Sequence, residues 1–303
     1  MFIKLFHLYK IGRKLAVSGA IDTVNEIYNL PFFIKNFFKI LSIGSSKKNI
    51  TSKKPGEKLC IALEGMGTTF IKLGQFLATR PDIIGEELAD DLAKLQDKLP
   101  AFQTSDAKRI IKKELGEKYY HDIIELSEPI AAASIAQVHI AKIKIQEKER
   151  EVAIKILRPE IEKIFNQELE ALLILAYIIE NLQPKLKRLK LIEVVLLLKE
   201  ITNIEMDLRF EAAAANELFE NTKNDKGFNV PKIYWNYTSK RILTLEKVNG
   251  VSIREFNKLK EKGVDLKKLA ENLIQFFLKQ AVRDGFFHGD MHQGNLFVDK
   301  NGN

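Results

Sequence analysis

An α+β fold is predicted by three features of the sequence. Apolar residues recur at helical spacing through 57–120 and again through 158–219. Between those stretches, 130–157 alternates as a strand hairpin does. Near the C-terminus a helical run, 266–283, enters a polar turn at 288–295 and leaves as a short apolar strand, 296–299.

At 303 residues, 46% hydrophobic and 29% charged, the chain can bury a substantial core and is not a disordered polymer. Cys60 is its only cysteine, which excludes an intrachain disulfide and a paired-cysteine zinc site and fits a reducing compartment. Cys60 itself reads as a packing residue in a helix. The formal charge of +8 is unevenly placed: residues 1–60 hold eleven Lys/Arg against three acids, so the leader carries all of it and the body is neutral. A nucleic-acid-binding domain would carry its basic patch within the fold, so no nucleic acid is expected as a partner. A basic, Phe-rich leader suits an anionic membrane surface, where each basic residue contributes up to about 1 kcal/mol.

Residues 1–43 interleave Phe2, Phe6, Phe32, Phe33, Phe37 and Phe38 with lysines. Charges recur too often for a signal peptide or a spanning helix, which leaves an interfacial helix or one packed on the body. Residues 44–56, rich in Gly, Ser, Lys and Pro, read as a linker. A helix over 57–79 carries Lys72-Leu73-Gly74-Gln75. Arg80-Pro81-Asp82 stops it, 83–95 forms another, and Thr104 or Ser105 caps a helix through 115. The stretch Ile130-Ala131-Ala132-Ala133-Ser134-Ile135-Ala136-Gln137-Val138 leads into one strand, and a second covers 151–157 after a charged turn. In that second strand the period of two sets Ala153 and Lys155 on one face, with Val152, Ile154 and Ile156 on the other. A long helix follows to about 181, its apolar run 171–179 too short to span a bilayer. The next helix, 191–219, carries Glu205, Asp207 and Glu211, the last two sharing a face. Two short strands, 233–237 and 242–245, precede a hinge-like exit at 245–250 and helices over 252–262 and 265–283.

The polar turn His288-Gly289-Asp290-Met291-His292-Gln293-Gly294-Asn295 offers a carboxylate and, five residues on, an amide. In phosphotransferases such a loop lets the Asp orient or deprotonate the attacking hydroxyl, while the Asn holds magnesium on the nucleotide phosphates. A plain polar turn with incidental histidines has the same local pattern, so the functional reading draws on parts elsewhere. Lys155, two positions from the small Ala153, can reach phosphates and needs a helical carboxylate as partner.

With these pieces placed, KLGQ at 72–75, AAASIAQVH at 131–139, VAIK at 152–155, Glu205-Met206-Asp207, Glu211 and HGDMHQGN at 288–295 together resemble the UbiB family of atypical kinase-like proteins, linked to ubiquinone biosynthesis. The resemblance covers about 57–299. It implies a protein-kinase-like two-lobe fold with an N-terminal helical KxGQ extension. The corresponding partition is a basic amphipathic leader (1–43), a linker (44–56), the extension (57–120), the N-lobe (121–248) and the start of the C-lobe (249–303). It also implies ATP and Mg2+ as cofactors, with Asp290 as base, Lys155 on the phosphates, Glu211 as the partner of Lys155 and Asn295 as metal ligand. Residues 130–138 and the hinge residues Glu246 and Val248 would surround the nucleotide. Lys72, Gln75, Glu205 and Asp207 would form a regulatory cluster in which Lys72 reaches the two acids, and the KxGQ helix would cover the place where a protein substrate docks.

Ala131, Ala133 and Ala136 stand at the three glycine positions of a kinase phosphate loop. Their β-carbons restrict positive φ and close backbone approach, and in the family this goes with ATPase-like behaviour and poor protein phosphorylation. The implied setting is the cytoplasmic face of the inner membrane, peripheral in this form, although family members carry C-terminal membrane helices. Lipid or quinone-precursor components and other ubiquinone-biosynthesis proteins are the implied partners.

Gln293 stands where the family often has proline. After the strand at 296–299, Asn301-Gly302 signals a hairpin whose return strand, with its Asp-Phe-Gly metal ligand, is not in the sequence. The expectation is a truncated C-lobe in which Asn295 is the one recognisable metal ligand. Two other functions are compatible with parts of the chain. A small-molecule phosphotransferase of the aminoglycoside or choline type shares the HGD…GN loop, although the KLGQ block and the alanine-rich loop argue against it. A catalytically dead fragment would act only as a binding module.

Overall fold

The structure, a computed structural model, describes residues 2–28, 30–44, 54–95, 99–182, 184–291, 293–300 and 302. Most of the expected linker, together with His292, Asn301 and Asn303, lies outside the described residues. The elements in chain order are α1 Phe2–Val17, α2 Ala20–Tyr28, α3 Phe32–Leu41, α4 Pro55–Met66, α5 Thr68–Ala78, α6 Pro81–Ile84, α7 Glu86–Leu92 and α8 Thr104–His121. Then come β1 Ile123–Ala132, β2 Ala136–Ile145, β3 Lys148–Leu157, α9 Ile161–Leu182, α10 Leu191–Glu205 and α11 Leu208–Thr222. The chain continues with β4 Ile242–Glu246, β5 Val251–Ser252, α12 Phe256–Glu261, α13 Leu266–Leu278 and β6 Phe297–Val298.

The chain divides into two compact units: Met1–Pro100 with Ala132–Ile135 and Arg158–Met206, and Ala101–Ala131 with Ala136–Leu157 and Asp207–Asn303.

The first unit is helical. The single helix expected over 57–79 is two, because Gly67 takes φ 101°, a conformation that a β-carbon would strain. Downstream, the helix expected over 83–95 is shortened to α7 by a break at Gly85. Phe70, Ile71, Leu92, Phe165, Leu169 and Leu198 are fully buried in this unit, which explains the apolar stripes of α5, α9 and α10. No helix among the described residues is long and apolar enough to cross a membrane.

The second unit is built on a four-stranded sheet in the order β1-β2-β3-β4. β2 and β3 pair antiparallel from Ala136↔Leu157 to Ile145↔Lys148, and the two residues between them, Gln146 and Glu147, both have positive φ, as a tight primed turn requires. β3 pairs antiparallel with β4, placing Lys155 opposite Leu243 and Ala153 opposite Leu245. Val152, Ile154 and Ile156 are fully buried against Ala107, Ile110 and Ile111 of α8, so Lys155 is turned to the opposite face, as the alternation predicts. Pro129 sits in β1, at the sheet edge, where a missing N–H is tolerated.

Three further expectations are corrected. The helix expected through 191–219 ends at Glu205 and restarts at Leu208, because the Asp207 carboxylate caps the new helix by accepting the Arg209 N–H at 3.1 Å. The strand expected at 233–237 is a single bridge, Ile233↔Leu245, followed by a 3-10 turn at Trp235–Tyr237. That turn sinks Tyr237 into the core, where its hydroxyl donates to Asp122 Oδ2 at 2.7 Å. The helix expected at 252–262 begins only at Phe256, since Val251 and Ser252 pair antiparallel with Val298 and Phe297.

Candidate active site

In the second unit, β3 delivers Lys155 and the first turn of α11 delivers Glu211. The Lys155 ammonium donates to both carboxylate oxygens, at 2.9 Å and 2.7 Å. Asp207 fixes where α11 begins and Leu208 N–H donates to Lys240 O at 2.9 Å, so Glu211 arrives on a helix whose N-terminus is tied down. Arg209 donates to the Asp207 oxygens at 2.9 Å and 2.6 Å and holds that carboxyl below its usual range.

The polar turn is organised by its own side chains. Asn295 Nδ2 donates to both Asp290 O and Asp290 Oδ2, each at 3.0 Å. Asp290 N–H donates to His288 Nδ1 at 3.1 Å, and His288 N–H donates to Gln280 Oε1 at 2.9 Å. Gln280 is fully buried in the π-helical turn Lys279–Asp284 that ends α13, so it ties the exposed loop to the interior. Arg283 in the same turn grips Asp225 with two bonds of 2.9 Å and also meets Asp284, depressing both carboxyls. Gln280, Arg283 and Asp225 were not singled out from the sequence. A glutamine on the buried stripe of an apolar helix was the available signal.

The loop leads into β6, and β6 lies directly under the hinge. A β-carbon on Gly250 would stand 2.8 Å from Val298 O and 3.1 Å from Phe297 Cβ. Glu246 N–H donates to Lys232 O at 2.9 Å, while Val248 is exposed. Lys247 is paired with Glu151 at 2.9 Å.

The alanine-rich segment divides by role. Ile130 and Ala131 are exposed, and Val138 is half-buried. Gln137 is fully buried and its amide reads the backbone of Phe102 in both directions, accepting from N at 2.9 Å and donating to O at 3.1 Å. It also meets His139 Nε2 at 2.9 Å, while His139 Nδ1 faces Ser127 O at 2.8 Å. Burial holds the His139 pKa below its ordinary value, so the ring is neutral and structural. These side chains brace the strands around the loop.

In the first unit, Arg158 anchors the loop centre by donating to Ala133 O at 3.0 Å and 2.8 Å, and its N–H donates to Ile135 O at 2.8 Å. Ala132, Ala133 and Ile135 are half-buried; Ala136, on the other unit, is buried. Thr68, at the start of α5, donates to Ser134 O at 3.4 Å, so the KLGQ helix and the loop meet within one unit. Lys72 pairs with Glu205 at 3.0 Å. Gln75 is half-buried on the same helix. Gly74 packs without a side chain because a β-carbon would lie 2.2 Å from Leu95 Cδ1.

The oxygen donors fit a hard divalent cation in part. Asn295 bonds to Asp290 through Nδ2, which turns its amide oxygen elsewhere; magnesium accepts one or two such protein oxygens when phosphates and water complete its shell. Among the described residues no cluster of three or more His, Cys, Asp or Glu could hold a metal.

The ABC1 atypical kinase-like domain family matches residues 94–303. The probable protein kinase UbiB of Marinobacter nauticus is 38% identical over 280 residues, covering 92% of this chain and 50% of that protein. That of Glaesserella parasuis is 41% identical over 260 residues, 84% of this chain and 47% of that protein. The chain thus spans about half the length of the curated relatives it matches. The solved complex of Rv3197 with erythromycin from Mycobacterium tuberculosis is 27% identical with a TM-score of 0.53, covering 76% of this chain and 56% of that one. The kinase-like α+β fold and the resemblance to UbiB proteins are borne out.

Proposed function

Because the chain belongs to the ABC1 atypical kinase-like family, we propose that it binds ATP with Mg2+ and acts as an ATPase or phosphotransferase supporting ubiquinone biosynthesis at a membrane. The observation that carries this is the doubly bonded Lys155–Glu211 pair, in a unit that also presents Asp290 locked to Asn295. Lys155 takes the α- and β-phosphates once nucleotide arrives, with Glu211 holding its ammonium in place. The backbone of Glu246 and Val248 meets the base, and in the same unit Ile130, Ala131, Ala136 and Val138 border the phosphates. Asp290 orients the attacking hydroxyl or water and takes its proton. Asn295 offers its amide oxygen to magnesium, which when bound neutralises charge on the phosphates. Lys72, Gln75 and Glu205 form the regulatory group within the first unit, since α5 already joins the loop through Thr68 and Glu205 through Lys72, whereas Asp207 is taken by the α11 cap and Arg209.

The test is magnesium-dependent nucleotide binding and phosphate release with Lys155→Ala and Asp290→Asn. Loss of binding in the first and loss of turnover in the second are expected; wild-type behaviour in both would refute the assignment. A small-molecule phosphotransferase is the second reading, favoured by the erythromycin held by the mycobacterial relative. Nucleotide consumption dependent on a hydroxylated antibiotic would select it.

A further inference from the structure

Helix α13 does not keep one geometry to its end. Its continuation, Lys279–Asp284, is π-helical, and insertions of that kind are frequent at functional sites. Residues three apart share a face of an α-helix. In this turn Gln280 is fully buried while the Arg283 side chain is 44% exposed, so the wider winding sends the two in different directions.

Gln280 serves the polar loop. Its Oε1 accepts the His288 N–H at 2.9 Å, His288 Nδ1 accepts the Asp290 N–H at 3.1 Å, and Asp290 Oδ2 accepts from Asn295 Nδ2 at 3.0 Å. An accepting Nδ1 carries no proton, so the proton of the His288 ring sits on Nε2. His288, Gly289 and Asp290 are exposed, so packing does little to fix them, and this relay sets the carboxylate by a group anchored in the interior. Gln280 Nε2 is buried without a hydrogen-bond partner among the described residues. A buried, unpaired donor costs stability, and an apolar side chain of the same shape would avoid that cost. What the amide supplies is therefore position.

Arg283 serves α11. It donates to Asn221 O at 3.3 Å and, through Nη1 and Nη2, to both Asp225 oxygens at 2.9 Å. Asp225 N–H in turn donates to Thr222 O at 2.8 Å, so the guanidinium closes the last turn of α11, the end of a helix that favours a cation. The first turn of the same helix carries Glu211, the partner of Lys155. One π turn thus holds the loop of Asp290 on one side and the helix of Glu211 on the other.

We propose that Gln280 is a positioning residue for Asp290, acting through His288, and that Arg283 keeps that loop in register with the helix bearing Glu211. This rests on Asp290 being the base of the function proposed above. The full chain would be assayed for magnesium-dependent phosphate release from ATP, with amide exchange followed in parallel. Gln280→Met keeps the volume and removes the acceptor. Its kcat should fall at least about tenfold with KM for nucleotide within about twofold, since a misplacement of about 1 Å can cost about a hundredfold in rate. Exchange at His288 and Asp290 should quicken at an unchanged melting temperature. Gln280→Glu keeps an accepting oxygen and should restore kcat to within about threefold of wild type. Arg283→Lys loses the two-pronged grip on Asp225, so it should lower kcat and raise KM together, and it serves if Gln280→Met fails to fold. Wild-type kinetics in Gln280→Met, or in Arg283→Lys where it stands in, overturn the positioning role, and loss of turnover in Asp290→Asn would then leave the base assigned. A fall in kcat that tracks a lower melting temperature and is not restored by Gln280→Glu makes the glutamine structural and overturns the proposal too. Turnover retained in Asp290→Asn, or absent from the wild-type chain, removes the base and this proposal with it.

Discussion

Lys155 and Glu211 stand 56 residues apart in the chain, yet one ammonium is held by both oxygens of one carboxylate. The pair is only partly shielded, with the lysine side chain 28% and the glutamate side chain 50% exposed, so its contribution to folding stability is below about 1 kcal/mol. Its value lies in presenting a charge. Lys155→Met should therefore weaken ATP binding ten- to a hundredfold, about 1.4–2.8 kcal/mol, in a titration with magnesium present. Chemical denaturation should move by less than about 1 kcal/mol. A large stability loss without a binding loss would assign the pair to structure.

Asp290→Asn preserves shape and removes the base. Turnover should fall at least about a hundredfold, as loss of a general base does, while the affinity for magnesium-nucleotide stays within a few-fold. Asn295→Ala removes the amide that bonds Asp290 O and Oδ2, so it should lower both affinity and turnover. Phosphate-release kinetics alongside equilibrium binding separate the two patterns.

The Asp207 cap gives a pH signature. Arg209 holds the folded carboxyl below its unfolded value of about 3.9, so its stabilisation is complete above that pH and is lost as pH falls through the lower folded value. Asp207→Ala should cost about 1 kcal/mol at pH 7. Asp207→Asn should retain much of the cap but lose the pH dependence, so thermal melts of wild type and Asp207→Asn should converge below about pH 4.

Gly250→Ala would press a β-carbon against the Val298 carbonyl, a backbone atom that cannot rotate away. Overpacking of this kind costs about 1–3 kcal/mol. The β5–β6 pair should open, with faster amide exchange at Val251 and Val298 and weaker magnesium-nucleotide binding through the adjoining loop. Unchanged exchange at both residues would show that the hinge yields instead.

Cys60 should be inert. Burial, reinforced by Glu64 and Asp91, pushes its thiol up to about 11, and Sγ faces Asp91 O at 3.2 Å. Labelling by a thiol-disulfide reagent at pH 8 should be far slower than for a free thiol in the unfolded chain.

Much of this site was legible because local rules generate it. Strand alternation alone put Lys155 opposite Val152, Ile154 and Ile156, and the fold obeyed. The loop spacing put an amide within reach of Asp290. Reading failed where a tertiary partner overruled the local pattern. Nothing near Tyr237 in sequence announces Asp122, which makes a 3-10 turn of an apparent strand. The apolar periodicity through 191–219 hides a cap at Asp207, because a carboxylate on a helix looks the same whether it is solvated or bonded to the backbone. Gln137 sits in the stretch read as nucleotide-facing, and its buried amide serves the backbone of Phe102.

Between Lys155 and Glu211 the backbone leaves the sheet-bearing unit at Arg158, builds α9 and α10, and returns at Asp207. With the passages at Pro100 and around 132–135, it crosses between the units five times. No single cut releases either unit as one continuous polypeptide, so truncation is a poor route to an autonomous half. Closing the ion pair also means closing a long tether, whose entropic cost is lowest when α9 and α10 are already folded. The lysine is thus a reporter on the helices of its own tether: whatever melts them slackens it and loosens the grip on the glutamate.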